Sequence, residues 1–375
     1  MQELTKNKTG ILQALQNCLS GKFHFVAYRL PGETTSTLLI QKDPVISVVG
    51  KLNDKLPERG FLIAPFSRET DEPWLIKPDI LLREPFDDDQ TYPVESIGDN
   101  SHTTFSGPYP PETEKEEYLR IIAESVNRIQ NGEFEKVVLS RIKTVKGSFK
   151  SKLPDLYNEM CKAYPHAFVY LFRVNGQCWM GATPEPFICS EKDEIRTVSL
   201  AGTRTFREED LDINRWNHKE IQEQEYVTLH IEKILENFHI EKFSKKGPYV
   251  TRAGNVLHLR TDFSFPSESM RNRLPSLIAA LHPTPAVCGM STGEAMDFIK
   301  SAEKHSRGYY AGFLGPMGIS EPLRLYVNLR CMRVYDDRLI LYIGGGITRE
   351  SIPLEEWEET EIKADTLLSV LKKVI

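Results

Sequence analysis

The stretch LRLYVNLRCMRVYDDRLILYIGGGI, residues 323–347, reads as one long β-hairpin turned at Asp336-Asp337. Its arms are dense in Leu, Ile, Val and Tyr, side chains that suit a pleated surface, and Asp is a turn residue. Working outward, AFVYLFRVNGQCWMGAT (167–183) repeats the pattern around Asn175-Gly176, a dipeptide favoured in two-residue hairpin turns. PFICSEKDEIRTVSLAG (186–202) is a further candidate hairpin, and FEKVVLSRIKTV (134–145) a strand beside them. Helical patterns collect between these strands: KEEYLRIIAESVNRIQNG (115–132), ended by Asn-Gly, and the runs 216–238, 269–281, 292–304 and 355–373. Adjacent hairpins with helices gathered between them predict an α+β fold with large antiparallel sheets, not a parallel doubly wound one. The chain agrees in having no GxxxxGK[ST] loop and no GxGxxG after a strand.

The first hundred residues are less characteristic. A helix is expected around 9–19, followed by short strand-like runs such as FHFVAYRL, TSTLLIQ and FLIAPF. Residues 83–115, rich in Asp, Ser and Pro, read as a long connection. We therefore divide the chain into an N-terminal part, 1–110, of the same α/β unit and a core, 111–375. A length of 375 residues with 40% hydrophobic and 27% charged side chains is that of a globular protein with a substantial core. The net charge of −6 and pI near 5.9 argue against a nucleic-acid surface. The polar N-terminus lacks the apolar core of a signal peptide, and no run approaches the roughly 18 apolar residues that span a bilayer. The six cysteines form no CxxC pair and no zinc spacing, as expected of idle thiols in a reducing cytoplasm. The expectation is a cytoplasmic protein with no membrane or nucleic-acid partner, and a monomer, because no interaction stripe stands out.

Several short stretches carry candidate chemistry. In EKVVLSRIKTV, alternation puts Lys136, Val138, Ser140 and Ile142 on one face, with Val137, Leu139 and Arg141 on the other. Apolar residues on both faces imply a covered strand, with Lys136 at the lip of a buried region where desolvation makes a lysine a usable base. In GATPEPF, two prolines stiffen the backbone around Glu185 and aim its carboxylate. In HKEIQEQEYVTLHIEKI, helical spacing aligns Glu220, Glu223, Val227 and His230. In EWEETEIK (356–363), Glu359 and Lys363 stand in the favourable order for an intrahelical ion pair, and period alone does not choose among Glu358, Glu359 and Glu361. Glycines in LAGTRTF (200–206) and YIGGGI (342–347) would let a ligand approach the backbone closely. Taken singly, each has an ordinary explanation: a snorkelling lysine, a surface turn, a wet acidic helix face, a bulge.

Their order carries more than any one of them. EKVVLSR, GATPEPF, LAGTRTF, the KExxExE helix, VLHLRT, LHPTPAVCG, RGYYAGFLGP, VNLRCMRV, IGGGI and EWEETEIK follow one another from about residue 112 to the C-terminus. This succession resembles the chorismate-utilising enzymes, and among them the isochorismate synthases. The resemblance implies two large antiparallel β-sheets flanked by helices, chorismate as substrate and Mg²⁺ as cofactor. It matches Lys136 to the lysine that activates water and Glu185 to the glutamate that protonates the departing hydroxyl. Glu223 and Glu359 match the Mg²⁺ ligands. Gly202, Thr203, Ala286, Arg330, Gly344 and Lys363 match positions lining the substrate site, and His258 is placed in the same cavity. Glu356, Glu358 and Glu361 keep the reading of a solvated helix face.

These residue types suit the implied chemistry. Chorismate carries two carboxylates, so an acidic protein needs local cations: Mg²⁺, Arg330 and Lys363. Water adding at C2 while the C4 hydroxyl leaves requires a base and an acid, so the pKa values of Lys136 and Glu185 must both move toward 7. Ammonia-using relatives tend to carry glutamine where Lys136 stands, and aminodeoxychorismate synthases a lysine where this chain has Ala201. Water is the consistent nucleophile. Salicylate synthases share the lysine and the AGT pattern, but LHPTPAVCG and the short N-terminal region are more similar to isochorismate synthases. A third reading is a chorismate-binding relative without activity. The implied product is a precursor of menaquinone or of catechol siderophores. Two positions depart from the family pattern: Gln224 follows Glu223 where histidine is usual, and Ser291 replaces a proline.

Overall fold

The computed structural model describes residues 10–50, 56–84, 105, 108–253, 256–270 and 272–374. Most of the expected connection at 83–115 lies outside the described residues. The chain begins with α1 (Ile11–Ser20), β1 (His24–Arg29), β2 (Thr37–Gln41), β3 (Ser47–Val48), β4 (Gly60–Ala64), β5 (Trp74–Ile76) and β6 (Ile80–Arg83). Then come α2 (Lys115–Gln130), β7 (Lys136–Lys146), α3 (Leu153–Ala163), β8 (Phe168–Val174), β9 (Gln177–Thr183), β10 (Pro186–Glu191) and β11 (Glu194–Thr205). After α4 (His218–Asn237) follow β12 (Ser244–Ala253), β13 (Val256–Pro266), α5 (Leu274–Leu281), β14 (Gly289–Met290) and α6 (Thr292–Ala302). The chain closes with β15 (Phe313–Met317), β16 (Leu323–Val327), β17 (Cys331–Val334), β18 (Arg338–Ile347) and α7 (Pro353–Val374).

Among the described residues the strands form two antiparallel sheets, as the sequence predicts. One runs β14-β7-β18-β17-β9-β8-β1-β2-β6, the other β12-β13-β11-β10-β16-β15-β4-β5-β3. The N-terminal strands are thus outer members of both sheets. Strand β8 shows why so many strands lack a polar face. Phe168, Tyr170 and Phe172 point into the core between the sheets, where Phe168 stacks on Tyr326 at 4.3 Å, while Val169 and Leu171 face α1, α3 and α7. With both faces covered, each such side chain contributes roughly 1.5–3 kcal/mol of burial. None of the helices among the described residues is long and apolar enough to cross a membrane.

Two expectations need correcting. The stretch 323–347 is not one hairpin: β17 and β18 pair as predicted, but β16 belongs to the other sheet. The chain crosses between sheets at Asn328–Arg330, where Arg330 takes the left-handed φ of 48° and buried Asn328 is held by Tyr170 and by the Tyr309 carbonyl. Continuous β-forming composition conceals this break. The helix expected over 269–281 begins only at Leu274, with Pro275 in its first turn and a short 3₁₀ turn, Ser267–Met270, before it.

Candidate active site

A cavity opens between the two sheets and α4 and α7. Lys136, the first residue of β7, is 0% exposed, and its Nζ lies 2.9 Å from Glu223 Oε1 on α4. The reading of a snorkelling lysine is thereby set aside. The asparagine-glutamate capping box at Asn217 and Glu220 starts α4, so the helix register that turns Glu223 inward is fixed locally. Burial alone would raise the Glu223 carboxyl, but Lys136, with Lys363 and Lys219, overcomes it and holds the group below the usual range.

Glu185 sits between β9 and β10, 8% exposed, in the cavity wall. Its carbonyl accepts from Val327 N and its N–H is near Thr183 Oγ1, so the Pro-Glu-Pro turn is held from both sides. Burial pushes its carboxyl up to about 7, against the opposing pull of Lys136, Arg330 and Lys363. Of these cations, Lys136 and Lys363 are also paired with Glu223 and Glu359.

The remaining wall is assembled from both sheets. At Gly202, φ is +66° and the β11–β13 register shifts, placing Thr203 opposite His258. A side chain at Gly202 would meet Glu220 and its carbonyl at 3.2 Å. His258 Nδ1 donates to the Gly202 carbonyl at 3.0 Å, and burial, aided by Arg330, lowers the ring to about 4, so the imidazole is neutral. Ala286 lines the opposite side. The Thr203 side chain lies outside the described residues. Arg330, at the crossover, donates to Thr366 Oγ1 at 3.0 Å. Lys363 donates to the Gly344 carbonyl at 3.0 Å and pairs with Glu359 Oε1 at 2.5 Å. Glu359 is not among the residues that line the cavity; it stands beside Lys363 with its side chain 31% exposed.

The triple glycine makes room chiefly for the protein's own side chains. A Cβ at Gly346 would stand 2.4 Å from Glu223 Oε1 and 3.1 Å from Lys136 Cε, and one at Gly344 2.5 Å from Tyr310 Oη. The acidic helix also departs from expectation. Glu356 is not solvated: it is 1% exposed and paired with Lys219 at 2.6 Å, and its Oε2 is buried without a well-aligned hydrogen-bond partner. Burial first, then the negative charge of Glu359, raises its pKa. Glu361 tethers α7 to β7 through Arg141 and through Lys143 at 2.6 Å. Glu358 alone of the three is exposed as expected. Sequence reasoning also missed Tyr310, which lines the cavity and stacks on Tyr342 at 5.5 Å.

Fold and cavity together define an α+β protein with a site lined by Glu185, Glu223 and His258 and carrying the cations Arg330 and Lys363, a charge pattern suited to an anionic ligand. The family model described as chorismate binding enzyme matches residues 89–372, and the chain belongs to that family. It is 28% identical to the vibriobactin-specific isochorismate synthase of Vibrio cholerae over 262 residues, 68% of this chain and 66% of that protein. It is 27% identical to isochorismate synthase MenF of Bacillus subtilis over 266 residues, 69% of this chain and 56% of that one. The aligned region therefore spans two thirds or less of these two relatives. Among solved structures, DhbC from Bacillus anthracis superposes with a TM-score of 0.77 at 22% identity, covering 97% of this chain and 100% of that one. MenF from Escherichia coli, titled a menaquinone-specific isochorismate synthase, gives 0.75 at 19% identity, covering 98% and 92%. These two likenesses show the shared fold.

Proposed function

We propose that this protein is an isochorismate synthase, an isomerase that converts chorismate to isochorismate. The observation that carries the reading is one cavity whose wall holds both Glu223, ion-paired with the buried Lys136 just behind it, and a glutamate, Glu185, whose pKa is raised to about 7. Lys136, acting as the base, takes a proton from water whose oxygen bonds to C2. The ring double bonds shift from C1–C2 and C5–C6 to C1–C6 and C4–C5. The C4–O bond breaks, and the hydroxyl takes the Glu185 proton and leaves as water. The atoms balance as an isomerisation, and proton exchange with solvent resets both side chains. Arg330 and Lys363 offer cations to the substrate carboxylates, and neutral His258 adds a polar wall without another charge.

The residues present also fit Mg²⁺. Glu223 and Glu359 supply hard oxygen donors, and the buried Glu356 carboxylate lies close enough to Glu359 to feel its charge. Among the described residues no three His, Cys, Asp or Glu side chains stand close enough to hold a metal by themselves. That suits an ion usually bound by one or two carboxylates with substrate oxygens and water. Glu223 and Glu359 would hold it, and when bound it would neutralise and orient the ring carboxylate. The free cysteines and the family's small-molecule substrate support a cytoplasmic location.

Incubation with chorismate and Mg²⁺, followed by chromatography, tests the reading: isochorismate is the expected main product. Salicylate with pyruvate would make the protein a salicylate synthase, and no turnover would make it an inactive binder. The helix register has its own test. Glu359→Ala should weaken Mg²⁺ and chorismate binding together, by about tenfold or more for a lost metal ligand. Exposed Glu358→Ala should leave both unchanged. Titration calorimetry giving the reverse pattern would overturn the assignment of Glu359.

A further inference from the structure

The acid–base chemistry leaves one buried charged cluster unused. Glu303, His305 and Arg307 follow α6 and are nearly inaccessible, yet none of them lines the cavity. They lie against the edge of β7. On one side β7 pairs with β18 from Val137 to Lys146, but on the other β14 covers only Lys136 and Val137, with Val138 N–H donating to the Cys288 carbonyl at 2.8 Å. Beyond that point, among the described residues, the outward groups of β7 have no strand to pair with until Thr113 takes those of Ile142. Side chains replace it. Arg307 Nη2 donates to the Val138 carbonyl at 2.6 Å, Ser140 N–H donates to Glu303 Oε1 at 2.7 Å, and Ser140 Oγ shares a 2.9 Å hydrogen bond with His305 Nε2. Glu303 and Arg307 hold each other through two contacts, at 2.9 and 2.5 Å. Leaving these backbone groups bare in the interior would be costly, so the ion pair does the work of a missing strand.

Arg307 also reaches a second wall. Its Nη1 donates to the Val287 carbonyl at 2.9 Å, next to Ala286, and its own carbonyl accepts from Tyr310 N–H at 2.9 Å. Val138, Val287 and Tyr310 all line the cavity, and Val138 is two residues from Lys136. The guanidinium lies over Phe66 at 4.3 Å, which fixes its plane. We propose that Arg307, held by Glu303, is a positioning residue: it ties the strand carrying Lys136 to the 286–287 wall and to Tyr310, and so sets where the base stands relative to bound substrate. The role rests on Lys136 being the base. A planar five-donor group that bridges two carbonyls and one carboxylate cannot be replaced by lysine.

Arg307→Lys keeps the charge facing Glu303 and is the variant to measure, in the full chain. The expected result is a kcat about 100-fold lower, the scale of a small misplacement of a reacting group. KM for chorismate and the Mg²⁺ midpoint should stay within about threefold, the signature of an interaction made in the transition state. Hydrogen exchange should show lost protection in peptides covering 137–141 and unchanged protection in 338–343. A wild-type kcat overturns the proposal, as does a loss of kcat that matches the fraction unfolded by circular dichroism. Should the wild type itself make no isochorismate, the functional reading fails separately. The exchange arm then decides the tether alone: local loss at 137–141 supports it and full protection overturns it.

Discussion

Glu185→Gln is expected to abolish most turnover and, at the same time, to stabilise the protein above pH 7. The two effects share one cause. Burial raises the Glu185 carboxyl from 4.5 to about 7, so near neutrality a substantial share of molecules hold the proton that the departing hydroxyl needs. Glutamine keeps the shape but has no proton to give, and loss of a general acid typically costs 10²–10⁴-fold in rate. For stability the sign follows from proton binding. Between pH 4.5 and 7 the native carboxyl holds a proton that the unfolded chain has released, so this group's contribution is full below pH 4.5 and is lost as pH rises through 7. The variant lacks that loss. Its advantage over wild type should be near zero at pH 4, grow through the window and level off at about 3 kcal/mol by pH 8. Denaturant melts of both proteins at several pH values check this, and parallel curves would show that Glu185 titrates normally. The wild-type kcat should correspondingly decline as pH rises past 7.

Local patterns made the hairpins readable. The Asn175-Gly176 turn and the β-branched and aromatic arms of β8 and β9 need no tertiary information, and both strands lie where expected. The β16–β17 break was not readable, because Asn328–Arg330 is held out of strand conformation by Tyr170 and Tyr309 from distant parts of the chain. In the site, the motif order pointed to Lys136, Glu223 and Lys363: Lys136 forms an ion pair with Glu223, and Lys363 separately reaches the Gly344 carbonyl. Glu356 was misread as solvated although a signal existed. Extending the stripe Leu371, Leu367, Ala364 backward by helical steps reaches Thr360 and then Glu356, all buried. An acid at the end of an apolar stripe is a buried acid in search of a partner, here Lys219. Arg307 gave no such warning, since a charged run after a helix looks solvated until the uncovered edge of β7 is seen beside it.

Lys136→Ala separates catalysis from binding. Removal of the amine leaves no base for the attacking water, and the rate should fall by about 10²–10⁴-fold at every pH. Chorismate should still bind, because Arg330, Lys363 and the carboxylates proposed to hold Mg²⁺ remain. The variant also leaves the largely buried Glu223 carboxylate without its closest cation, which removal of one partner makes costly by about 3 kcal/mol, the low end for a buried pair. In the proposed reading Mg²⁺ would supply a replacement cation to that carboxylate. The melting midpoint of Lys136→Ala should therefore lie well below wild type in chelator and recover most of the gap in excess Mg²⁺, whereas wild type gains less from the metal. Equal Mg²⁺-induced shifts in the two proteins would mean that Glu223 does not hold the ion. A variant that kept wild-type turnover would remove Lys136 from the chemistry and leave it a structural partner of Glu223.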